Sequence, residues 1–294
     1  MRAVLRRALV CAVGGVLALG SAGCGGSDEK ASSPPPAEPA TTSTPTTTEA
    51  GPPTAGTVTC APEKRPAPPP KPQPAPPPEP APPGVPASLL GAEWDVLPTS
   101  RKVVALTFDC GANADGVPAI LAALSAADAP ATFFLTGSWA RAYPDHARVL
   151  GGYTVGNHTY SHPDLTTLGA AAVRAEVRRA QRAIRETTGD DPRPLFRFPY
   201  GARDAGTIDV VNELGYGSIR WTVDTLGWKG VSGGQTVASV RARVLAALRP
   251  GAIVLMHVGS APDGSTLDAD ALPSVVAAIR ARGYRLVELG AFTR

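Results

Sequence analysis

The sequence predicts an α/β fold for residues 95–294, with about seven parallel strands in a barrel that helices surround. Short apolar runs alternate along this part of the chain with longer segments of helical periodicity. Apolar strands separated by helices indicate a mostly parallel sheet covered on both faces. Seven such repeats favour a closed barrel over an open sheet. Ionisable residues end five of the seven predicted strands, where a (β/α) barrel gathers its functional groups.

The first 24 residues have the composition of a signal sequence. Arg2, Arg6 and Arg7 precede an apolar run at residues 8–19 that is short for a membrane span. Small residues then lead to Cys24, as in bacterial lipoprotein signals, in which the cysteine is lipidated. The alternative is ordinary secretion with cleavage near Ala22. Either interpretation places the protein outside the cytoplasm, held to the membrane at most by an N-terminal lipid anchor.

Residues 25–94 are predicted to be a disordered tether. Of the 32 prolines in the chain, 21 lie between Pro34 and Pro86, interleaved with alanine, threonine and serine. Such a composition cannot bury a core and favours extended polyproline II segments. A spacer of this kind suits a domain that must reach into a cell wall.

The remaining 200 residues, 95–294, are enough for one domain with one core. The net charge of +3 is small, and no basic block is interleaved with aromatic residues. This argues against a nucleic-acid partner. No second long apolar segment is present, which excludes a multi-pass membrane protein.

The predicted elements alternate regularly through this domain. The predicted strands are at residues 103–108, 131–135, 153–155, 196–198, 218–223, 252–256 and 285–289. The predicted helices are at residues 117–127, 140–150, 170–187, 205–214, 237–248 and 271–281. The helix at 170–187 has the clearest pattern, with Val173, Val177 and Ile184 on one face. Pro250 and Gly251 follow the helix that ends near residue 248.

Five of the predicted strands end in an ionisable side chain. In chain order these residues are Asp109, His158, Arg197, Asp224 and His257. The carboxyl ends of barrel strands converge on one face, so we expect these side chains to meet there. Five equivalent positions of this kind are hard to explain as solvated surface.

His158 and His162 are four residues apart, a spacing that lets two imidazoles share one metal ion. A catalytic metal site usually has three protein ligands and one open position. Such a metal would activate water and polarise a carbonyl. Asp109 is then the candidate base, Arg197 its bidentate partner and His257 the candidate acid. The alternatives are polar surface histidines, a structural Asp109–Arg197 ion pair and a buried histidine satisfied by the backbone.

Five short motifs carry a resemblance to a known family. They are Thr-Phe-Asp at 107–109, His-Thr-Tyr-Ser-His at 158–162, Arg-Phe-Pro-Tyr at 197–200, the segment 221–228, and Leu-Met-His at 255–257. Residues 100–294 resemble the polysaccharide deacetylase family, the NodB-like carbohydrate esterases. The resemblance implies a distorted (β/α) barrel and metal-dependent removal of acetyl groups from N-acetylated sugars.

The resemblance also implies roles for particular residues. Asp109 would be the catalytic base, His257 the acid, and His158 and His162 metal ligands. Arg197 would hold the base, and the backbone N–H of Tyr200 would stabilise the oxyanion. Trp228 and Leu255 would line the pocket for the acetyl group.

Two positions depart from the family pattern. Cys110 stands where a second aspartate usually supplies the third metal ligand. A thiolate there would favour zinc, and the alternatives are Asp115, Asn113 or water. A disulfide between Cys110 and Cys60 is a further alternative. Gly227 stands where an aspartate usually tunes the acid histidine, and Asp224 is the candidate substitute.

These observations predict a secreted, zinc-dependent deacetylase of cell-wall glycan, with peptidoglycan or a related N-acetylglucosamine polymer as substrate. The alternatives are a catalytically impaired glycan-binding pseudoenzyme, and an O-acetyl esterase acting on another polysaccharide. A two-carboxylate glycosidase ranks last because it leaves the histidine pair without a role.

Overall fold

The computed structural model of the chain describes residues 84–293. The predicted signal sequence, most of the predicted tether, Cys24 and Cys60 lie outside the described residues. No helix between residues 84 and 293 is long and apolar enough to cross a membrane.

The described residues form one sheet of nine strands. They are β1 (Glu93–Trp94), β2 (Val103–Cys110), β3 (Thr132–Leu135), β4 (Thr154–Asn157), β5 (Leu195–Phe196), β6 (Gly217–Ile219), β7 (Val223–Asp224), β8 (Ala252–His257) and β9 (Arg285–Val287). Their order is β1-β6-β5-β4-β3-β2-β8-β7, with β9 paired to β2, and all the strand pairings are parallel.

The sheet closes irregularly on itself just after β1. Val96 forms an isolated antiparallel bridge with Ala252 of β8, and the Leu97 N–H donates to the Gly251 carbonyl at 2.8 Å. Inside the ring lies a cluster of buried apolar side chains: Leu89, Trp94, Leu97, Val103, Ala105, Phe134, Leu195, Ile219, Ile253 and Leu289. The predicted distorted (β/α) barrel is therefore confirmed, with a bridge in place of a regular strand pair at the seam.

Seven α-helices lie along the described part of the chain. They are α1 (Val117–Ala126), α2 (Gly137–Ala142), α3 (Pro144–Leu150), α4 (Ala170–Thr188), α5 (Ala205–Glu213), α6 (Val237–Ala246) and α7 (Leu267–Ala281). The single helix predicted at 140–150 is two helices, because Pro144 disfavours a helical conformation for Tyr143 and lacks an N–H. Helix α7 begins four residues earlier than the predicted residue 271.

Helix α4 follows its prediction closely. Val173, Val177 and Ile184 are fully buried, and the helix ends where Gly189 adopts a left-handed conformation with φ of 86°. The apolar face of α4 lies behind β4, which ends at the histidine loop. This packing fixes one wall of the candidate site.

The predicted strand at 218–223 is divided in two. Strand β6 pairs with β1, whereas β7 pairs with β8. Between them, the Arg220 N–H donates to the Trp94 carbonyl, and the Thr222 N–H donates to the Ile253 carbonyl. The chain changes partners at this point, which is why one apolar run makes two short strands.

The folded domain begins before the predicted residue 95. A 3₁₀ turn at Ala87–Leu89 and strand β1 fall within the segment predicted to be tether. Leu89 is fully buried against Gly217, where a Cβ would come within 2.5 Å of the leucine Cδ1. The domain therefore includes residues 87–94, which are predicted to belong to the tether because of the prolines before them.

Candidate active site

The site is centred on Asp109, which lies in β2 and is 7% exposed. The Arg197 Nη1 donates to Asp109 Oδ1 at 2.7 Å, whereas Nη2 donates to Thr107 Oγ1 at 2.9 Å and to the Arg220 carbonyl at 3.1 Å. The predicted bidentate pairing is therefore wrong, because one arm of the guanidinium is used by the neighbouring strand and loop. The fully buried guanidinium also lies 4.1 Å from the centre of the Phe134 ring.

The electrostatic surroundings keep Asp109 ionised. Burial alone would raise the pKa of this carboxyl group, but the charge of Arg197 opposes burial and leaves the pKa below its ordinary value. The charges of His158 and His257 act in the same direction. Asp109 is thus a buried carboxylate that is fixed on one oxygen and available on the other.

His158 follows β4 and its ring is oriented by the backbone. The Nδ1–H donates to the Arg197 carbonyl at 2.8 Å, which leaves Nε2 with a free lone pair 3.4 Å from Asp109 Oδ2. Burial lowers the pKa of His158, although Asp109 pulls it upward. A neutral imidazole of fixed tautomer is the form that binds a metal ion.

His162 brings a second imidazole beside the first. The centres of the His158 and His162 rings are 4.8 Å apart, and the Tyr200 ring lies edge-on to His162 at 4.7 Å. Burial, followed by the nearby His158, lowers the pKa of His162 to about 4. The spacing of four residues does bring the two rings together, but in a loop rather than on a helical turn.

The histidine loop is held by side chains that the sequence reasoning did not single out. The Asn157 side chain accepts from the Thr159 N–H at 2.9 Å and donates to the Val177 carbonyl at 2.9 Å. Glu176 of α4 accepts from the Tyr160 and Ser161 N–H groups at 3.0 and 2.9 Å. The contacts with Val177 and Glu176 join the loop to α4, so no local pattern in the sequence signalled them.

Backbone strain is concentrated around the site. Of the five non-glycine residues with positive φ in residues 84–293, four lie on loops that carry predicted site residues: Thr159, His162, Tyr200 and Leu226. Conformations of this kind persist where the surrounding structure fixes them, and they cluster at functional sites.

His257 lies at the end of β8, directly opposite Asp109 in the parallel pairing of β2 and β8. Its Nδ1 atom is buried without a hydrogen-bond partner, and the nearest carboxylate oxygen, Oδ2 of Asp268, is 3.8 Å away. Burial would lower the pKa of His257, but Asp268 and then Asp109 outweigh it and raise the pKa above its ordinary value. The structure therefore places a candidate acid beside the candidate base.

The carboxylate nearest to His257 comes from α7 and was not predicted. Asp268 Oδ2 accepts from the His257 backbone N–H at 2.9 Å, and Oδ1 accepts from Thr225 Oγ1 at 2.6 Å. Asp224, the predicted substitute, instead accepts from the Trp228 indole N–H at 3.2 Å and the Leu226 N–H at 2.8 Å. Asp224 also raises the pKa of His257, as predicted, but its effect is smaller than those of Asp268 and Asp109.

The predicted pocket residues surround these groups. Leu255 is 3% exposed on β8, on the same strand face as His257. Tyr200 and Trp228 are 71% and 45% exposed, and the Trp228 and His257 rings are 6.3 Å apart. Exposed aromatic rings beside a buried polar centre provide surfaces for a sugar ring.

Cys110 is placed away from the histidines. Side chains alternate along β2, and Cys110 belongs with Val104, Leu106 and Phe108 to the core between the barrel and its helices. Its thiol is fully buried with its pKa raised well above the ordinary value by burial and by Asp109. The prediction that Cys110 ligates the metal is therefore wrong.

The alternative ligands lie on the loop after β2. Asp115 Oδ2 accepts from Ser260 Oγ at 2.6 Å, and the Asn113 side chain exchanges hydrogen bonds with the Ser260 backbone. Both side chains are thus engaged with the loop that follows β8. The structure therefore shows no contact between Asp115 and the histidine pair, and Asp115 stays a predicted alternative ligand.

Replacing Cys110 by aspartate is expected to destabilise the domain by about 3–5 kcal/mol, because it buries a carboxylate without a partner charge. Cys110→Ala is the matched control, since it removes the thiol without adding charge. Urea unfolding of both variants measures the difference. A Cys110→Asp protein that is as stable as Cys110→Ala and binds more zinc than the wild type would restore the ligand assignment.

The histidine pair fits a divalent cation only in part. Two neutral imidazoles lie together, and the Nδ1 bond of His158 is the kind of outer contact that orients a metal ligand. Yet within residues 84–293 no group of three or more His, Cys, Asp or Glu side chains is arranged to hold a metal ion. The donor set therefore fits a cation on two histidines, without a third protein ligand.

Comparison with known proteins agrees with this geometry. A family profile described as polysaccharide deacetylase matches residues 97–219. The chain is 33% identical over 201 residues to a chitooligosaccharide deacetylase of Azorhizobium caulinodans, covering 65% of this chain and 94% of that protein. It is 32% identical to a peptidoglycan-N-acetylglucosamine deacetylase of Bacillus cereus, covering 65% of this chain and 68% of that protein.

Solved structures include similar folds with and without activity. A CE4 family pseudoenzyme from Bacillus anthracis is 28% identical, with a TM-score of 0.63 and coverage of 69% of each chain. A mutant described as a pseudoenzyme with restored enzymatic activity is 29% identical, also with a TM-score of 0.63, covering 69% of this chain and 72% of that one.

Proposed function

Since the chain belongs to the polysaccharide deacetylase family, hydrolases of non-peptide carbon–nitrogen bonds in carbohydrates, we propose that it removes N-acetyl groups from cell-wall glycan. The substrate class is peptidoglycan or a related N-acetylglucosamine polymer. The relatives that act on chitooligosaccharide and on peptidoglycan N-acetylglucosamine support this class.

The proposed reaction divides the proton transfers between two residues. Asp109 takes a proton from the attacking water through Oδ2, the oxygen that Arg197 leaves free. The new bond joins the water oxygen to the acetyl carbon, and the carbon–nitrogen bond then breaks. His257 gives its proton to the departing nitrogen, so the products are acetate and a free amine on the sugar.

Other residues of the chain would position the substrate. The backbone N–H of Tyr200 is the proposed donor to the developing oxyanion. Leu255 and Trp228 line the acetyl group, and Asp224 holds the indole of Trp228. His158 and His162 would hold a divalent cation, and two nitrogen donors favour zinc. Such a cation, when bound, supplies Lewis-acid polarisation of the amide carbonyl.

The observation that carries the proposal is the pairing of Asp109 with His257 across β2 and β8. The pKa of one group is lowered and that of its neighbour is raised. Mutual attraction between a carboxylate and an imidazolium would by itself shift the two pKa values in these directions. The assignment of Asp109 as base and His257 as acid therefore rests on their facing positions at the ends of two neighbouring strands.

Acetate release tests the proposal directly. Purified protein with added Zn²⁺ is incubated with an N-acetylglucosamine oligomer or peptidoglycan, and acetate and free amine are measured. Equal amounts of both products support N-deacetylation. Acetate from an O-acetylated polysaccharide alone would favour the esterase, and glycan binding without any acetate would favour a pseudoenzyme. Within residues 84–293 no third ligand is arranged beside the two histidines, and this, with the similarity to a solved pseudoenzyme, makes that last outcome a specific alternative.

We also propose that the enzyme works at the outer side of the cell membrane or in the wall. The basic and apolar segments before Cys24 and the proline-rich residues that follow support secretion with a lipid anchor. Fractionation of expressing cells tests this location. Protein confined to the cytoplasm would contradict it.

A further inference from the structure

The carboxylate of Asp268 occupies the space next to the Cα of Gly227. A Cβ on Gly227 would come within 2.5 Å of the Asp268 Cγ and 2.8 Å of its Oδ2, and closer still to Oδ1. The carboxylate of Asp268 therefore fills the volume that a side chain on residue 227 would occupy. Gly227 has no positive φ, so it is the carboxylate, and not the backbone, that excludes a side chain there.

Asp268 reaches this space from the first turn of α7 and is 3% exposed. Its two oxygens accept from Thr225 Oγ1 and from the His257 backbone N–H. The hydrogen bond from the His257 N–H holds the carboxylate next to the imidazole ring of the same residue. Burying a carboxylate is costly unless it is hydrogen-bonded, and here those bonds also aim it at one imidazole.

His257 supplies the other half of the arrangement. Its Nδ1 is buried and without a hydrogen-bond partner, and Asp268 Oδ2 is 3.8 Å away. A rotation of the ring that shortened this distance would make a hydrogen bond, and catalytic hydrogen bonds often tighten only when substrate binds. Nε2, the other ring nitrogen, would then be the atom that carries the transferred proton.

We propose that Asp268 is the positioning residue of His257, acting from α7 in the place where Gly227 has no side chain. The carboxylate fixes the orientation of the imidazole and stabilises its protonated form, in the way that a triad carboxylate orients its histidine. This inference rests on the proposed role of His257 as the acid. It extends that role by naming the group that makes the acid effective.

The first test compares Asp268→Asn with Asp270→Asn. Asp270 is exposed in the same turn of α7, so both changes remove one carboxylate from one helix terminus. Asp268→Asn is expected to lower kcat by about 10- to 100-fold, part of what a general acid contributes, with little change in KM. Asp270→Asn is expected to retain wild-type kcat.

The pH profile separates positioning from a structural role. The titratable groups that face His257 lie on several elements: Asp109, His158, His162, Asp224 and Asp268. Because Asp268 favours the protonated ring, its removal lowers the pKa of His257. The alkaline limb of the kcat profile then moves to lower pH in Asp268→Asn and stays in place in Asp270→Asn.

The second test moves the carboxylate. In Asp268→Ala the volume beside Gly227 is empty, so Asp268→Ala/Gly227→Asp places a carboxylate back in nearly the same space from the other side. The double variant is expected to regain at least about ten-fold in kcat over Asp268→Ala. A folded double variant that is no more active than Asp268→Ala would overturn the proposal.

The third test does not depend on catalytic activity. The chain has four histidines, so the ring resonances of His257 can be identified by NMR through their loss in His257→Gln. Asp268→Asn is expected to lower the titration midpoint of His257. If the wild type released no acetate at all, the proposed function would fail while this titration still tested the pairing. An unchanged midpoint in a folded Asp268→Asn protein would refute the positioning role.

Discussion

Replacing Asp109 by asparagine is expected to reduce acetate release by about 10²- to 10⁴-fold, the range that general acid–base catalysis contributes. The amide has the size of the carboxylate and still accepts the Arg197 Nη1 hydrogen bond, so the geometry of the site is kept. What it lacks is the ability to take a proton from water on its second oxygen. The loss is therefore expected in kcat, and the measurement is acetate release at saturating substrate.

The variant also leaves a buried cation without its partner charge. Arg197 is fully buried, and removing its partner costs up to about 3–5 kcal/mol in such pairs. Arg197 keeps hydrogen bonds to Thr107 and to the carbonyl of Arg220. The expected loss of unfolding free energy therefore lies at the lower end of this range. Thermal unfolding of Asp109→Asn therefore has to accompany the kinetics, so that lost activity is measured on folded protein.

Asp145→Asn is the matched control for this experiment. It makes the same chemical change at an exposed carboxylate of α3, outside the site, that pairs with Arg148. This variant is expected to keep its activity and its metal content. More than a tenth of wild-type activity in Asp109→Asn would remove Asp109 from the role of base.

The position of the site could be predicted because it depends on a regular repeat. Apolar runs that alternate with helices predict parallel strands, and the carboxyl ends of such strands meet on one face. Asp109, Arg197 and His257 fall at these ends, and they are the residues that the structure brings together. No contact between distant parts of the chain had to be known for that prediction.

The direction of the Cys110 side chain follows from a local rule. Side chains alternate across a strand, so a residue next to the inward-facing Asp109 on a regular strand must face the helices. Strand β2 continues through Cys110 without a bulge, in register with Leu135 of β3. A motif match at this position carries no information on the direction of the side chain.

Asp268 could not have been found in this way. It is 11 residues beyond His257, on a helix whose start was predicted four residues too late, and it reaches the site only because α7 packs against the loop that holds Gly227. The same is true of Glu176, which fixes the histidine loop from α4. Such contacts arise from the packing of elements, and no spacing in the sequence encodes them.

The second large effect is expected at the histidine pair. Replacing His162 by alanine is expected to remove most of the bound zinc and, with it, the acetate release, because a site with two nitrogen donors loses half of its protein ligands. His162 is only partly buried and its loop is held by Asn157 and Glu176, so the fold is expected to stay intact. Metal content by mass spectrometry and acetate release on the same sample are the two measurements.

His158→Ala is expected to lose the metal as well, but with a larger cost in stability. His158 is 2% exposed, and its Nδ1–H is the partner of the Arg197 carbonyl, which would be left unpaired in the core. The two variants should therefore be alike in metal content and differ in free energy of unfolding by about 1–3 kcal/mol. This difference distinguishes His162, a ligand at the edge of the pocket, from His158, which is also part of the core.

His146→Ala completes the comparison, since it removes an imidazole from α3, outside the site, and is expected to change neither zinc content nor activity. Zinc retained at wild-type level by both His158→Ala and His162→Ala would mean that these histidines do not hold the cation. Zinc lost from both variants, with acetate release unaffected, would mean instead that the reaction proceeds on Asp109 and His257 alone. The proposed chemistry requires that metal and activity be lost together, because a cation held by His158 and His162 would polarise the carbonyl that the water activated by Asp109 attacks.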